Sequence, residues 1–351
     1  NTFVRAVVTY VACRCLHDLA RQDYSNEAGY TCYTHMYTIS AACKLTSAAT
    51  YVQVFSLHDL PFCQAMCRKR QELGLTGVPD VQDMMSRFDE HTVGVTASDL
   101  NGLVEGKRME GTIVNRLARE IIHLSGVIIL PAAASKPLPP LHGGRGMVYV
   151  DSQYVDKIYI GDVGGDLVKG LADTLSRCTK SMVLDGQGIP VCGVVNESKH
   201  WLPFLMDYVE YSNTGSVEVL VLDSGRPRAK PGNYVFKWDG AYGAALAMWN
   251  ETTGMPEFVS KLMKVAAWYC YCTRLDEGTV IVVDIRGTGQ QLQPNSTSWS
   301  DAWSCGRWAV ANLGAMITHP VCGSRLRVAS SLDEVQTVVV QLTELVCCRV
   351  P

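Results

Sequence analysis

The sequence predicts an α+β protein with a central mixed β-sheet flanked by helices, preceded by an extra, mainly helical N-terminal region. From residue 147 onward, short apolar runs of strand character alternate with longer runs of helical period. Residues 1–130 carry mainly helical patterning, and a proline- and glycine-rich stretch, 131–146, separates the two parts. Late in the chain the apolar run Thr279 to Ile285 feeds a polar loop ending at Ser304-Cys305-Gly306, just before a helical run, Arg307 to Met316. Strands mixed with helices in this order suit one sheet with helices against it.

Bulk properties narrow the functional classes. A chain of 351 residues, 47% hydrophobic, has ample material for a core and fits one large domain or two. Its net charge of −3 leaves no basic footprint, so nucleic acid is not indicated as a partner. The longest apolar runs, such as Gly126 to Ala134, fall far short of a membrane span, and no membrane partner is expected. The 14 cysteines are spread through a chain with a full hydrophobic complement. That reads as mostly free thiols in a reducing compartment, cytoplasm or nucleus. Glycosylation triplets at Asn196, Asn250 and Asn295 point the other way, but such triplets arise often by chance. The start at Asn1-Thr2-Phe3, without methionine or targeting block, suggests a processed product or a piece of a longer polypeptide.

In chain order, Thr2 to Leu19 is apolar, with charges gathered at its end. Pro79 opens the helical run VQDMMSRFDEH, where Asp80 and Asp83 suit the positive end of the dipole. Ile113, Leu117, Ile121 and Leu124 share one helical face, and Gly126 is a stop. Cys13, Cys15, Cys32 and His35 could be imagined around zinc, but their spacing fits no closed template. Neither a metal nor a cofactor is expected. Residues 131–146 read as a linker whose PLPP run is a spacer before it is a polyproline ligand.

Beyond the linker, Met147 to Val150 and Lys157 to Ile160 read as strands and Asp166 to Cys178 as a helix. Ile189 to Val195, Leu202 to Tyr208 and Val217 to Leu222 read as strands, the last two joined through the polar turn at 212–215. Pro203 would confine its strand to an edge or a bulge. Tyr242 to Trp249 and Met255 to Cys272 read as helices and Thr279 to Ile285 as a buried strand. Ser331 and Glu334 form a capping box that opens a last helix through Val346.

The chemistry centres on Cys305. A cysteine in the first turn of a helix sees unpaired N–H groups and the positive dipole end, which favour the thiolate. Hydrolysis through a thiolate also needs a base, a group to orient it and donors for the oxyanion. Each is on offer at a strand end: His200 before Trp201, Asp223 closing VEVLVLDS, and Gln293 in the loop after VIVVDIRG.

This order, His-Trp, an apolar run ending Asp-Ser, Gln-Pro-Asn and then Cys-Gly, resembles the adenain and Ulp1/SENP class of cysteine proteases over roughly residues 155–320. Its best stretch is Ile189 to Ser224, with a fainter echo at Tyr159-Ile160-Gly161-Asp162. The resemblance implies that Cys305 attacks a carbonyl and His200 carries the proton. It further implies that Asp223 orients the imidazole, and that Gln293 and the Cys305 N–H receive the oxyanion. Trp201 would pack beside the imidazole and limit water, and Asp162 and Gly306 would line the substrate. Substrates would be Gly-X sites of a viral polyprotein or a ubiquitin-like modifier.

The chain also departs from that pattern. Ser304 stands where the family has Asp, and the segment STSWSDAWS lengthens the approach to Cys305, which leaves Gln290 and Gln291 as competitors of Gln293. Residues 1–146 have no counterpart in the family's catalytic core. The alternative expectation is a structural or assembly protein, such as a viral capsid-associated component bound to other viral structural proteins, that keeps this fold without turnover.

Overall fold

The computed structural model describes residues 52–55, 57–88, 94–129, 146–162, 166–182, 189–211, 214–227, 232–241, 245–247, 255–293, 298–318, 326–329 and 331–348. They fall in one compact unit, Val52–Val321 with Leu326–Pro351. The apolar run Thr2 to Leu19, the Cys13/Cys15/Cys32/His35 group and nearly all of the 131–146 linker lie outside the described residues.

The described chain opens with β1 (Val52–Phe55) and a 3-10 turn (Leu57–Asp59), then α1 (Pro61–Glu72), α2 (Val81–Arg87), α3 (Ala97–Asn101) and α4 (Gly111–Leu124). β2 (Ile128–Ile129), β3 (Gly146–Val150), α5 (Ser152–Ile160) and α6 (Asp166–Met182) follow. Next come β4 (Val191–Glu197), β5 (His200–Tyr211), β6 (Thr214–Asp223), β7 (Gly232–Trp238) and β8 (Ala245–Ala247). The order closes with α7 (Glu257–Thr273), β9 (Val280–Gly287), α8 (Cys305–Thr318), β10 (Leu326–Ala329) and α9 (Leu332–Cys348).

Local chemistry sets many of these boundaries. Asp80 caps α2 by accepting from the N–H groups of Gln82 and Asp83, so Pro79 precedes the cap instead of opening the helix. Ile113, Leu117, Ile121 and Leu124 are buried along one face of α4. Ser331 accepts from the Glu334 N–H at 3.4 Å where α9 begins.

Some expectations are corrected. Lys157 to Ile160 is the end of α5, not a strand. Asp151 caps that helix, Val155 and Ile158 bury one side of it, and Gly161 ends it at φ 80. A four-residue apolar run is too short to separate a period of 2 from one of 3.6. Within Tyr242 to Trp249, Ala245–Ala247 is strand β8 on the sheet edge, where pairing with β7 outweighs the helical preference of alanine. Pro203 stands in a central strand, in register with Val194. The β5–β6 ladder nevertheless stops at Phe204↔Val221, just where proline has no N–H to continue it.

Eight of the described strands form one mixed sheet in the order β2-β3-β4-β5-β6-β9-β7-β8, while β1 and β10 pair separately in parallel. The pairs β2/β3, β3/β4 and β6/β9 are parallel, and the remaining pairs of the large sheet are antiparallel. Side chains alternate across it. Met147, Tyr149, Trp201, Leu205 and Leu220 join a core with α1, α4, α8 and α9. Val148, Val150, Leu202, Phe204 and Val219 join another with α5, α6 and α7. The fold is therefore α+β, with a mixed sheet between helical layers.

Among the described residues, packing crosses residue 130. Phe62 and Met66 of α1 and Leu117 and Ile121 of α4 share one core with Leu313 of α8 and Val339 of α9, and β2 extends the sheet. Composition marks the 131–146 stretch, but burial joins the residues on its two sides.

Candidate active site

The site forms where three elements end. β4 and β5 are joined by a two-residue turn at Ser198 and Lys199, both left-handed at φ 49 and 72. Such a primed turn matches strand twist, but it normally takes Asn-Gly. It delivers His200 as the first residue of β5. β6 ends at Asp223, beside Gly287 of β9. α8 begins at Cys305, which puts the thiol in the first helical turn, at the positive end of the dipole.

His200 Nε2 lies 2.9 Å from Asp223 Oδ1, which also accepts from the Gly225 N–H at 2.9 Å. The Thr288 N–H donates to the Asp223 carbonyl at 2.8 Å, fixing the backbone that carries the carboxylate. Nδ1 on the other side of the ring is buried and makes no hydrogen bond of ordinary geometry. The Cys305 thiol donates to the Lys199 carbonyl at 3.5 Å, which puts it beside the imidazole. Burial pushes the His200 pKa down, but the Asp223 carboxylate and then the Cys305 sulfur outweigh this and raise it to about 9. The imidazole thus has one nitrogen committed to a carboxylate and the other available toward a thiol. That arrangement can carry a proton to and from sulfur.

A buried polar chain runs from the carboxylate to the nucleophile. Ser224 donates to Gln291 Oε1 at 2.6 Å, and Gln291 Nε2 donates to the Asp301 carbonyl at 2.7 Å. The Ser304 hydroxyl donates to the Asp301 carboxylate in a short contact. Ser224, Gln291 and Ser304 are all buried. Ser304, directly before the cysteine, is thus held by a carboxylate three residues earlier, Asp301.

Arg307, two residues after the cysteine, is wholly buried. Nη1 donates to the Lys107 carbonyl at 3.0 Å, and Nη2 to those of Gly102 and Val104 at 3.0 and 3.2 Å. Nε donates to Gln336 of α9, and the guanidinium lies 4.5 Å from the Trp303 ring centroid. Burial lowers its pKa to about 10, with Cys305 the largest opposing influence.

The other expected site residues are placed as follows. Trp201 points away from its neighbour His200, as successive strand residues do. Its Nε1 donates to the Met109 carbonyl at 3.3 Å, and its ring approaches Gly111 and Gly306. The ring that packs on His200 is Trp299, edge-on, with centroids 5.3 Å apart. Gly306 is buried, and a Cβ there would lie 3.1 Å from Met109 Cβ and 3.2 Å from Val114 Cγ2. It is thus a packing position under the helix. Asp162 is exposed beyond α5, its N–H bonded to the Lys157 carbonyl at 2.9 Å. No described contact joins it to His200, Asp223 or Cys305.

Gln293 is exposed, with its backbone N–H donated to the Ser298 carbonyl at 2.9 Å. Gln290 Nε2 donates to Asn312 of α8 at 3.3 Å, and Gln291 belongs to the chain just described. The structure therefore brings together Cys305, His200 and Asp223, while Gln293 has no described contact with them.

Arg307, Trp299 and the Ser224–Gln291–Asp301–Ser304 chain were missed from the sequence. A lone cation opening an otherwise apolar helix was the available signal for Arg307. The chain depends on contacts between segments that no local pattern encodes. Compared with known proteins, the sequence matches no protein-family model and no curated protein.

Proposed function

We propose that the chain is a cysteine peptidase or isopeptidase of the adenain/Ulp1 type, acting on a protein substrate at Gly-X sites of a polyprotein or a ubiquitin-like modifier. The observation that carries this reading is the His200 ring, tied at Nε2 to Asp223 over 2.9 Å and presenting Nδ1 on the side of a helix-start thiol. The Cys305 thiolate attacks the carbonyl carbon and forms a C–S bond. The imidazolium gives its proton to the leaving amine as the C–N bond breaks, and water then releases the acyl group with His200 as base. Asp223 holds the imidazole in the required tautomer. The N–H groups at the start of α8 receive the oxyanion, with Gln293 as the side-chain donor.

Labelling with a vinyl-sulfone peptide probe tests this. Stoichiometric modification at Cys305 that disappears in His200→Ala is expected. Equal labelling of several cysteines, unchanged in His200→Ala, would refute it.

A fold kept without turnover, in a structural or assembly protein, is the second reading. One observation favours it: Cys305 is only 2% exposed, and its thiol is spent on the Lys199 carbonyl. Recovery of the protein as a stable part of a larger particle, with Cys305 inert to the probe, would select this reading.

A further inference from the structure

The segment that lengthens the approach to Cys305 carries an aromatic ring onto the imidazole. Leu292 and Trp299 form an isolated antiparallel bridge. Beside it the Gln293 N–H donates to the Ser298 carbonyl at 2.9 Å, and the Ser300 N–H and Oγ both donate to the Gln291 carbonyl, at 2.7 and 3.0 Å. The stems are therefore held on the buried Gln291. The indole lies over Gly225, where a Cβ would come within 2.4 Å of the ring, so only glycine there permits this approach. Trp299 meets the His200 ring edge-on at 87°. It nonetheless remains 45% exposed.

Chemistry fixes which side of a substrate that exposed face would meet. The imidazolium must deliver its proton to the leaving nitrogen, so a ring packed on the imidazole borders the leaving-group half of the substrate. The acyl half lies toward the helix start that receives the oxyanion.

Resting on the peptidase reading above, we propose that Trp299 is a specificity-determining residue for the leaving side, favouring an apolar side chain on the first residue after the cleaved bond. Its exposed indole face provides apolar area that is covered only when such a side chain lies on it. A small or charged side chain at that position leaves the ring in water.

The test uses the full chain and a library of internally quenched peptides varied at the first residue on the leaving side. The native protein should cleave members with Leu, Ile or Phe there about 10-fold faster than members with Ser or Asp, in line with what one apolar pocket contact discriminates. Trp299→Ala should bring the two groups together, and Trp299→Phe should keep most of the preference. Alkylation of Cys305 by iodoacetamide, a probe with no leaving amine, reports the thiol–imidazole pair by itself and is used to normalise the peptide rates of native and Trp299→Ala protein. A preference that survives in Trp299→Ala would overturn the inference alone. So would a fall in alkylation that matches an equal fall for every peptide, since the ring would then only support the imidazole. Absence of cleavage of every peptide by the native protein would overturn the peptidase reading and this inference together.

Discussion

Ser224 donates its hydroxyl to Gln291 Oε1 across 2.6 Å, one residue beyond the carboxylate that holds the imidazole. Gln291 passes the connection to Asp301, which accepts from Ser304 beside the thiol. The end of β6 and the start of α8 are thus joined through a glutamine with no solvent exposure. Within such a chain each member satisfies the next, and removing one leaves buried groups without partners.

Gln291→Ala should therefore lower unfolding stability by about 1–3 kcal/mol, the cost of buried polar groups left unmade. Urea unfolding measures this. A loss within experimental error would mean that water replaces the amide and that the chain does not hold the site.

The Ser304–Asp301 pair makes a sharper prediction. Ser304→Asp, the residue the resembled family carries, would press a second carboxylate against Asp301 at a buried position. We expect destabilisation of at least about 2 kcal/mol, as for a buried charge without a partner. The exchange Ser304→Asp with Asp301→Ser should recover most of it. If Ser304→Asp alone is as stable as native by thermal unfolding, the two side chains do not share one buried site.

The pH dependence follows from His200. Its pKa in the folded protein is about 9 against an ordinary 6.5, raised by Asp223 and Cys305 against the effect of burial. A raised pKa means that the folded state holds the proton more tightly than the unfolded chain. The contribution is therefore complete below pH 6.5 and is lost as pH climbs through about 9. Its size is on the order of 3 kcal/mol. Thermal midpoints across that window should fall in the native protein and fall much less in Asp223→Asn. Identical slopes would show that the carboxylate does not hold the proton on the ring.

Ser198 and Lys199 both occupy the left-handed region, which costs an ordinary residue roughly 1–2 kcal/mol. Replacing them with Asn-Gly should raise stability by about 1 kcal/mol or more, because that pair is the natural fit for a two-residue primed turn. A lower thermal midpoint would mean that the Ser198 and Lys199 side chains contribute more than the backbone strain costs.

Arg307→Met should be the most damaging change at the site. It would leave the carbonyls of Gly102, Val104 and Lys107 without their donor, each at a cost of about 1–3 kcal/mol. Arg307→Lys should recover only part, because one ammonium cannot reproduce the fork. Full recovery of native stability by Arg307→Lys in urea would instead assign the effect to charge alone.

The sequence by itself determined the parts that follow from local period and end chemistry. The α4 stripe of Ile113, Leu117, Ile121 and Leu124, the Ser331 cap, and the strands leading to His200 and Asp223 are all written in residues that are neighbours along the chain. The strand, loop, cysteine and helix order at 279–316 belongs to the same class. Only tertiary structure decided that α1 and α4 share the core of α8, and that Pro203 sits in a central strand where one ladder ends. It likewise put Trp299 on the imidazole, where Trp201 had been expected. Those outcomes depend on sheet register and on which faces meet across long stretches of chain. A pleated strand sends adjacent residues to opposite sides, so the neighbour of His200 in sequence faces the core, and its neighbour in space comes from nearly 100 residues away.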